Sequence, residues 1–175
     1  MVFFKELDIR EPNYYLNVDN SSLGSVLGDT LKKIEKVFLD HTPDGVLILG
    51  DTHSAISAVL AKRMQIPVYH MEAGNRSFDE NVPEEANRRI VDHSSDFNLP
   101  YTEHARRNLL SEGIHPRRVM VTGSPMREVL DFYRDKIDAS DIVTKLGMAK
   151  NEYFLVSAHR QENVDSPERL SRLLD

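Results

Sequence analysis

The chain is 175 residues long, with 22 basic against 28 acidic side chains and a net charge of −6. At roughly 150 residues per domain this is one domain with a remainder, and the acidic balance excludes a general attraction to nucleic acid or to an anionic membrane. The absence of cysteine excludes disulfides, thiol nucleophiles and Cys-ligated metal centres. No run approaches the ~18 apolar residues of a membrane span, and Met1 to Asp8 lack the pattern of a signal peptide, so a cytoplasmic protein is expected.

Apolar runs of strand length alternate with amphipathic stretches along the chain. Leu23, Val26, Leu27, Leu31, Ile34, Val37 and Phe38 recur at helical spacing, which predicts a helix over about 21–40, capped by Ser21 or Ser22. After the turn at Pro43-Asp44-Gly45, Val46 to Leu49 reads as a strand apolar on both faces, as in a covered parallel sheet. A helix over about 54–64, a strand over 67–71, a helix over 83–92, a strand over 97–99, a helix over 102–111 closed by Gly113, and a strand over 119–122 follow. Strands spaced by single helices predict βαβ units, hence an α/β fold: a Rossmann-like parallel sheet with helices on both faces.

Gly123-Ser124-Pro125 breaks the rhythm. Two charged helical stretches, 126–135 and 140–146, precede an apolar run, Tyr153 to Ser157, that reads as a strand, and a helix over 168–174. The expected organisation is a first domain over 1–124, a helical connection over 125–150 and the start of a second domain over 151–175.

In an open parallel sheet, ligands collect beyond the carboxyl ends of the strands, and four polar clusters fall there. In Gly50-Asp51-Thr52-His53, Asp51 is either a general base or the cap of the next helix. In His70-Met71-Glu72-Ala73-Gly74-Asn75-Arg76, Glu72 suits acid–base work and Arg76 a phosphate or carboxylate, or the two belong to an exposed ion-paired loop. Pro83-Glu84-Glu85-Ala86-Asn87-Arg88-Arg89 is good helix-start chemistry, with Glu84/Arg88 and Glu85/Arg89 as i,i+4 pairs, or the wall of a charged site. In Ser157-Ala158-His159-Arg160-Gln161-Glu162-Asn163, His159 and Arg160 suit a diphosphate leaving group, against a structural histidine. His41, His93, His104 and His115 have no matched partner spacing, and no metal-ligand, dinucleotide or phosphate-loop signature is present.

Taken in order, Gly50-Asp51-Thr52, His70-Met71-Glu72-Ala73-Gly74, Pro83-Glu84-Glu85-Ala86-Asn87-Arg88, Thr122-Gly123 and His159-Arg160 with Glu162-Asn163 resemble the non-hydrolysing UDP-N-acetylglucosamine 2-epimerase family. The resemblance implies two Rossmann-like domains arranged as in GT-B glycosyltransferases, with the active site in the cleft between them. It implies an isomerase that inverts C2 of a UDP-N-acetylhexosamine by eliminating and re-adding UDP, with no NAD or other cofactor, and a homodimer. Asp51, Glu72 and Glu84 match the family's active-site carboxylates, His159 its UDP-contacting cleft histidine and Arg88 a substrate-contacting arginine. Arg76, Arg160 and Glu162 join them as candidate substrate-binding residues.

Three departures stand out: Asn75 where the family reads leucine, a short acidic loop over 77–82, and Gly123-Ser124-Pro125 where the family often has Gly-Asn-Thr. They look more like the branch acting on UDP-N-acetyl-L-sugars in capsule and O-antigen synthesis, which makes UDP-N-acetyl-L-fucosamine. The family's opening strand and its basic loop have no counterpart before Phe3, and the second domain stops after one strand and part of a helix. The expectation is therefore a chain truncated at both ends, with negligible turnover by residues 1–175 alone. The alternatives are a GT-B-type glycosyltransferase using a UDP-sugar and a non-catalytic piece that only dimerises or binds weakly.

Overall fold

The computed structural model describes residues 2–157 and 164–174. The chain divides into two compact units, 1–125 and 126–175.

The first unit opens with a short helix, α1 (Val2–Glu6), and an extended stretch leading to α2 (Leu23–His41). Ser22 caps α2 by accepting from the Ser25 N–H at 3.0 Å, and Thr42 ends it in the left-handed region. β1 (Val46–Leu49) follows, then a 3-10 turn over His53–Ile56 that runs into α3 (Ser57–Arg63), where one helix was expected. The remaining elements are β2 (Val68–Met71), α4 (Pro83–Ser94), β3 (Phe97–Leu99) and α5 (Glu103–Ser111). Proline at the first position of α4, with Glu84 and Glu85 in its first turn, makes a favourable start.

The strands are parallel in the order β1-β2-β3, with Val46 opposite Val68 and Tyr69 opposite Phe97. The expected fourth strand, 119–122, shows as a single parallel bridge from Val119 to Asn98, plus N–H bonds from Met120 to Asn98 and from Thr122 to Pro100. Phe38, Ile48, Ala55, Ala58, Ala61, Val68 and Val91 form the core between this sheet and α2, α3 and α4. A second small cluster joins Ala73, Leu109 and Ile114 under α5.

The sheet departs from the doubly covered arrangement in one respect. The strand side chains pointing away from that core are open: Leu47 and Leu49 are 64% and 62% exposed, and Tyr69, Phe97 and Met120 are exposed too. Strand order explains this. Right-handed crossovers that always step to the next position in one direction place every linking helix on the same face. On the open face Tyr69 and Phe97 stack with ring centroids 5.1 Å apart. An apolar groove of about 300 Å³ runs along the free edge of β1, lined by Leu16, Ile34, Phe38, Val46 and Ile48.

The second unit holds α6 (Met126–Phe132), α7 (Arg134–Asp138), α8 (Ile142–Lys145) and α9 (Pro167–Leu174). The helix expected over 126–135 is broken at Tyr133, whose backbone leaves the helical region. The run expected as a strand, 153–157, joins no ladder, and Phe154 is 99% exposed. A strand exists only by hydrogen bonding to a neighbour, and none of the described residues pairs with this run.

Candidate active site

The site of the first unit lies where β1 and β2 end and α4 begins. Gly50, buried and at φ +75°, turns the chain out of β1 and presents Asp51. Glu72 leaves β2 at φ +65°, a left-handed conformation that costs a non-glycine residue roughly 1–2 kcal/mol. Strain of this kind clusters at functional positions.

One guanidinium joins the two carboxylates. An Arg88 η-nitrogen pairs closely with Asp51 Oδ2 and lies 3.7 Å from Glu72 Oε1. Asn87, beside it on α4, donates Nδ2–H to the Asp51 carbonyl at 3.0 Å. Asn75 donates to Glu72 Oε1 at 3.3 Å. Arg88 Nε is buried with no hydrogen-bond partner among the described residues. The expected Glu84/Arg88 pair gives way to these contacts, and Glu84 stands exposed at the start of α4. Glu85/Arg89 does form, at 2.9 Å. Tyr101, just past β3, has its phenol pushed up, first by burial and then by the charge of Glu72.

Arg76 is the exception among the first unit's candidates. Its side chain is fully buried, bonded through Nε and an η-nitrogen to Glu112 at 2.8 and 2.6 Å, and 2.8 Å from Asp92 Oδ2. Burial opposes its charge, but the two carboxylates outweigh that and raise it well above its ordinary value. In this arrangement Arg76 holds the protein together rather than reaching a substrate. Glu112, bonded to Arg76, is held below the usual carboxylate range. Glu85 is also held low: burial works against its charge, but the Ser77 N–H and Arg89 prevail.

The same network holds groups that sequence reasoning missed. His70 is fully buried, with Nδ1 2.8 Å from Asp92 Oδ1 and Nε2 2.8 Å from the Gly50 carbonyl. Asp92 also accepts from the Gly74 N–H at 3.2 Å. A signal was present: Glu85, Arg88 or Arg89, and Asp92 recur at helical spacing, a charged stripe on a helix that must turn one face to the core. His159, Arg160 and Glu162 lie outside the described residues. Among the described residues no cluster of potential metal ligands occurs and no helix is long and apolar enough to cross a membrane.

A parallel Rossmann-like sheet with two strand-end carboxylates bridged by an arginine defines an α/β protein with a charged cluster beyond the carboxyl ends of its strands, where ligands collect in such folds. The family model described as UDP-N-acetylglucosamine 2-epimerase matches residues 1–175, and the chain belongs to this family. The structure of UDP-N-acetylglucosamine 2-epimerase from Rickettsia bellii is similar at 45% identity with a TM-score of 0.89, over 99% of this chain and 47% of that one. The Methanocaldococcus jannaschii enzyme, solved in complex with UDP-GlcNAc and UDP, is similar at 38% identity with a TM-score of 0.88, over 99% and 48%. The UDP-2,3-diacetamido-2,3-dideoxy-D-glucuronate 2-epimerase of Pseudomonas aeruginosa is 34% identical over 99% of this chain and 49% of its own length. The Rossmann-like α/β fold class expected from the sequence, that of GT-B-like epimerases, is thereby shown. The chain spans about half the length of the curated relatives it matches.

Proposed function

We propose that this chain supplies the proton-handling side of a UDP-N-acetylhexosamine 2-epimerase. The observation that carries this is the Asp51–Arg88–Glu72 constellation at the ends of adjacent parallel strands. One carboxylate takes the C2 proton while the C1–O bond breaks and its electron pair leaves with UDP. The resulting 2-acetamidoglycal is protonated at C2 from the opposite face, and a UDP oxygen re-forms the bond to C1. Electrons balance within the sugar, and inversion asks only for acid–base groups on both faces and a stabilised leaving group. The Arg88 cation offsets the repulsion between the two carboxylates, and Glu84 is the third carboxylate in this scheme.

His159 is assigned to the diphosphate, with Arg160 and Glu162 as its neighbours. Residues 125–150 are read as the connection between two domains and 151–175 as part of a second α/β domain. A homodimer and a cytoplasmic location belong to the same proposal, supported by the family match and by a charged, membrane-impermeant substrate.

For substrate we favour a UDP-N-acetyl-L-sugar, serving capsular or O-antigen precursor synthesis. Supporting this is Asn75, which stands where the family reads leucine and places an amide on Glu72. The experiment is C2 deuterium incorporation in D2O, offered UDP-GlcNAc and UDP-N-acetyl-L-fucosamine in parallel. Residues 1–175 alone are expected to show negligible exchange, and a polypeptide of the relatives' full length to show it with the L-sugar. Sugar transfer to an acceptor without C2 exchange would replace this proposal with the glycosyltransferase alternative.

A further inference from the structure

Neither ring nitrogen of the fully buried His70 faces a donor. Nε2 meets the backbone carbonyl of Gly50 at 2.8 Å, and a carbonyl can only accept. Nδ1 meets Asp92 Oδ1 at 2.8 Å. Asp92 is itself surrounded by donors: the Arg76 guanidinium lies 2.8 Å from Oδ2, and the Gly74 N–H points at both oxygens. Every other group at Asp92 donates to it, so Asp92 is placed as an acceptor toward Nδ1 as well, and the hydrogen between them belongs to the ring.

We propose that His70 is a buried imidazolium that donates from both nitrogens, and that it acts as a positioning residue by clamping the peptide that carries Asp51. This rests on the reading of Asp51 as a catalytic carboxylate. The geometry supports a clamp on each side of that residue. Ahead of it, the Gly50 N–H donates to the Met71 carbonyl at 3.2 Å while the Gly50 carbonyl accepts from His70. Behind it, the Asp51 carbonyl accepts from Asn87 at 3.0 Å. With both flanking peptides fixed, the Asp51 Cα is held where its carboxyl reaches Arg88.

The charges around the ring come from every neighbouring element. Asp92 and Glu85 with Arg89 lie on α4, Arg76 in the loop after β2, and Glu112 at the end of α5, where His93 Nε2 is 3.5 Å from it. With His70 charged, Asp92 sits between two cations, and the Arg76–Glu112 pair closes the chain. A neutral ring would leave either Nδ1 or Nε2 with its lone pair against an oxygen.

The test is nuclear magnetic resonance on residues 1–175 with 15N in the histidine rings. Both His70 ring nitrogens are expected to be protonated at pH 7, with ring hydrogens that exchange slowly because the ring is buried. An unprotonated His70 nitrogen at that pH overturns the proposal. In Asp92→Asn, which keeps the shape and removes the charge, His70 is expected to lose one ring hydrogen. The hydrogen lost is the one on Nδ1, while the Nε2 hydrogen stays on the Gly50 carbonyl and is read in both proteins as a coupling from Nε2 to the Gly50 carbonyl carbon across the hydrogen bond. Absence of that coupling in the wild type would reduce His70 to packing and overturn the clamp. Should Asp92→Asn not fold, the wild-type ring measurement decides alone. The catalytic reading of Asp51 fails separately, by retained C2 exchange in Asp51→Asn of full family length, and that result leaves the ring measurement standing.

Discussion

Replacing Gly74 with alanine tests whether the turn out of β2 is as tightly seated as the structure shows. Gly74 lies at φ +78°, and a Cβ built there would come 2.8 Å from Leu109 Cγ and closer still to the carbonyl oxygen of Ala105. Both neighbours are buried on α5, and the carbonyl cannot swing aside without breaking its helix. The left-handed backbone costs alanine roughly 1–2 kcal/mol, and overpacking adds about 1–3 kcal/mol, so the loss should be about 2–5 kcal/mol. Gly50→Ala is the control. Its φ of +75° is nearly the same, but the nearest atom is Glu72 Oε2 at 3.8 Å, an ordinary contact. Only the backbone cost of roughly 1–2 kcal/mol remains. Urea unfolding followed by helical circular dichroism should place the Gly74→Ala midpoint below that of Gly50→Ala by about 1 M, given slopes of about 1–3 kcal/mol per molar urea. Coincident midpoints would refute the close approach of α5 to this turn.

Glu72→Gly should relieve the positive φ and raise stability by about 1 kcal/mol, while abolishing C2 exchange in a full-length enzyme; a stability loss in urea unfolding would contradict the strain at this site. Asn75→Leu should shift the ratio of C2 exchange rates away from the L-sugar, measured by mass spectrometry of both substrates in D2O, and an unchanged ratio would remove Asn75 from specificity. Glu112 is held low by Arg76, so its contribution is full above the ordinary carboxylate value of 4.5 and is lost as pH falls through the depressed folded value. Glu112→Gln should therefore flatten the decline of the thermal midpoint between about pH 5 and pH 3, and parallel pH profiles for the two proteins would show that the pair contributes nothing.

The alternation of apolar runs and amphipathic stretches was enough to place β1, β2, β3 and the helices between them, because period and turn chemistry are local. The positions of Asp51, Glu72 and Arg88 were legible for the same reason, each sitting just past a strand end or in the first turns of a helix. Arg76 was not. Its partner Glu112 is 36 positions further on, and no local pattern tells an arginine that meets a ligand from one that meets a carboxylate of its own chain. The open face of the sheet was hidden too. Leu47 and Leu49 look like core residues until strand order shows which side the crossovers cover. The run 153–157 has the composition of a strand, but a ladder is a property of two segments and composition describes only one.

The chain His70–Asp92–Arg76–Glu112, buried up to its partly exposed last member, has a consequence for how such sequences diverge. Removing one of the three buried members strands a charge away from water, at a cost of about 3–5 kcal/mol, whereas exchanging the whole set for well-packed apolar side chains can be nearly neutral. Single steps between those two states pass through a chain that barely folds. Across relatives these four positions are therefore expected to change as a block or stay as they are, even where the surface around them drifts freely.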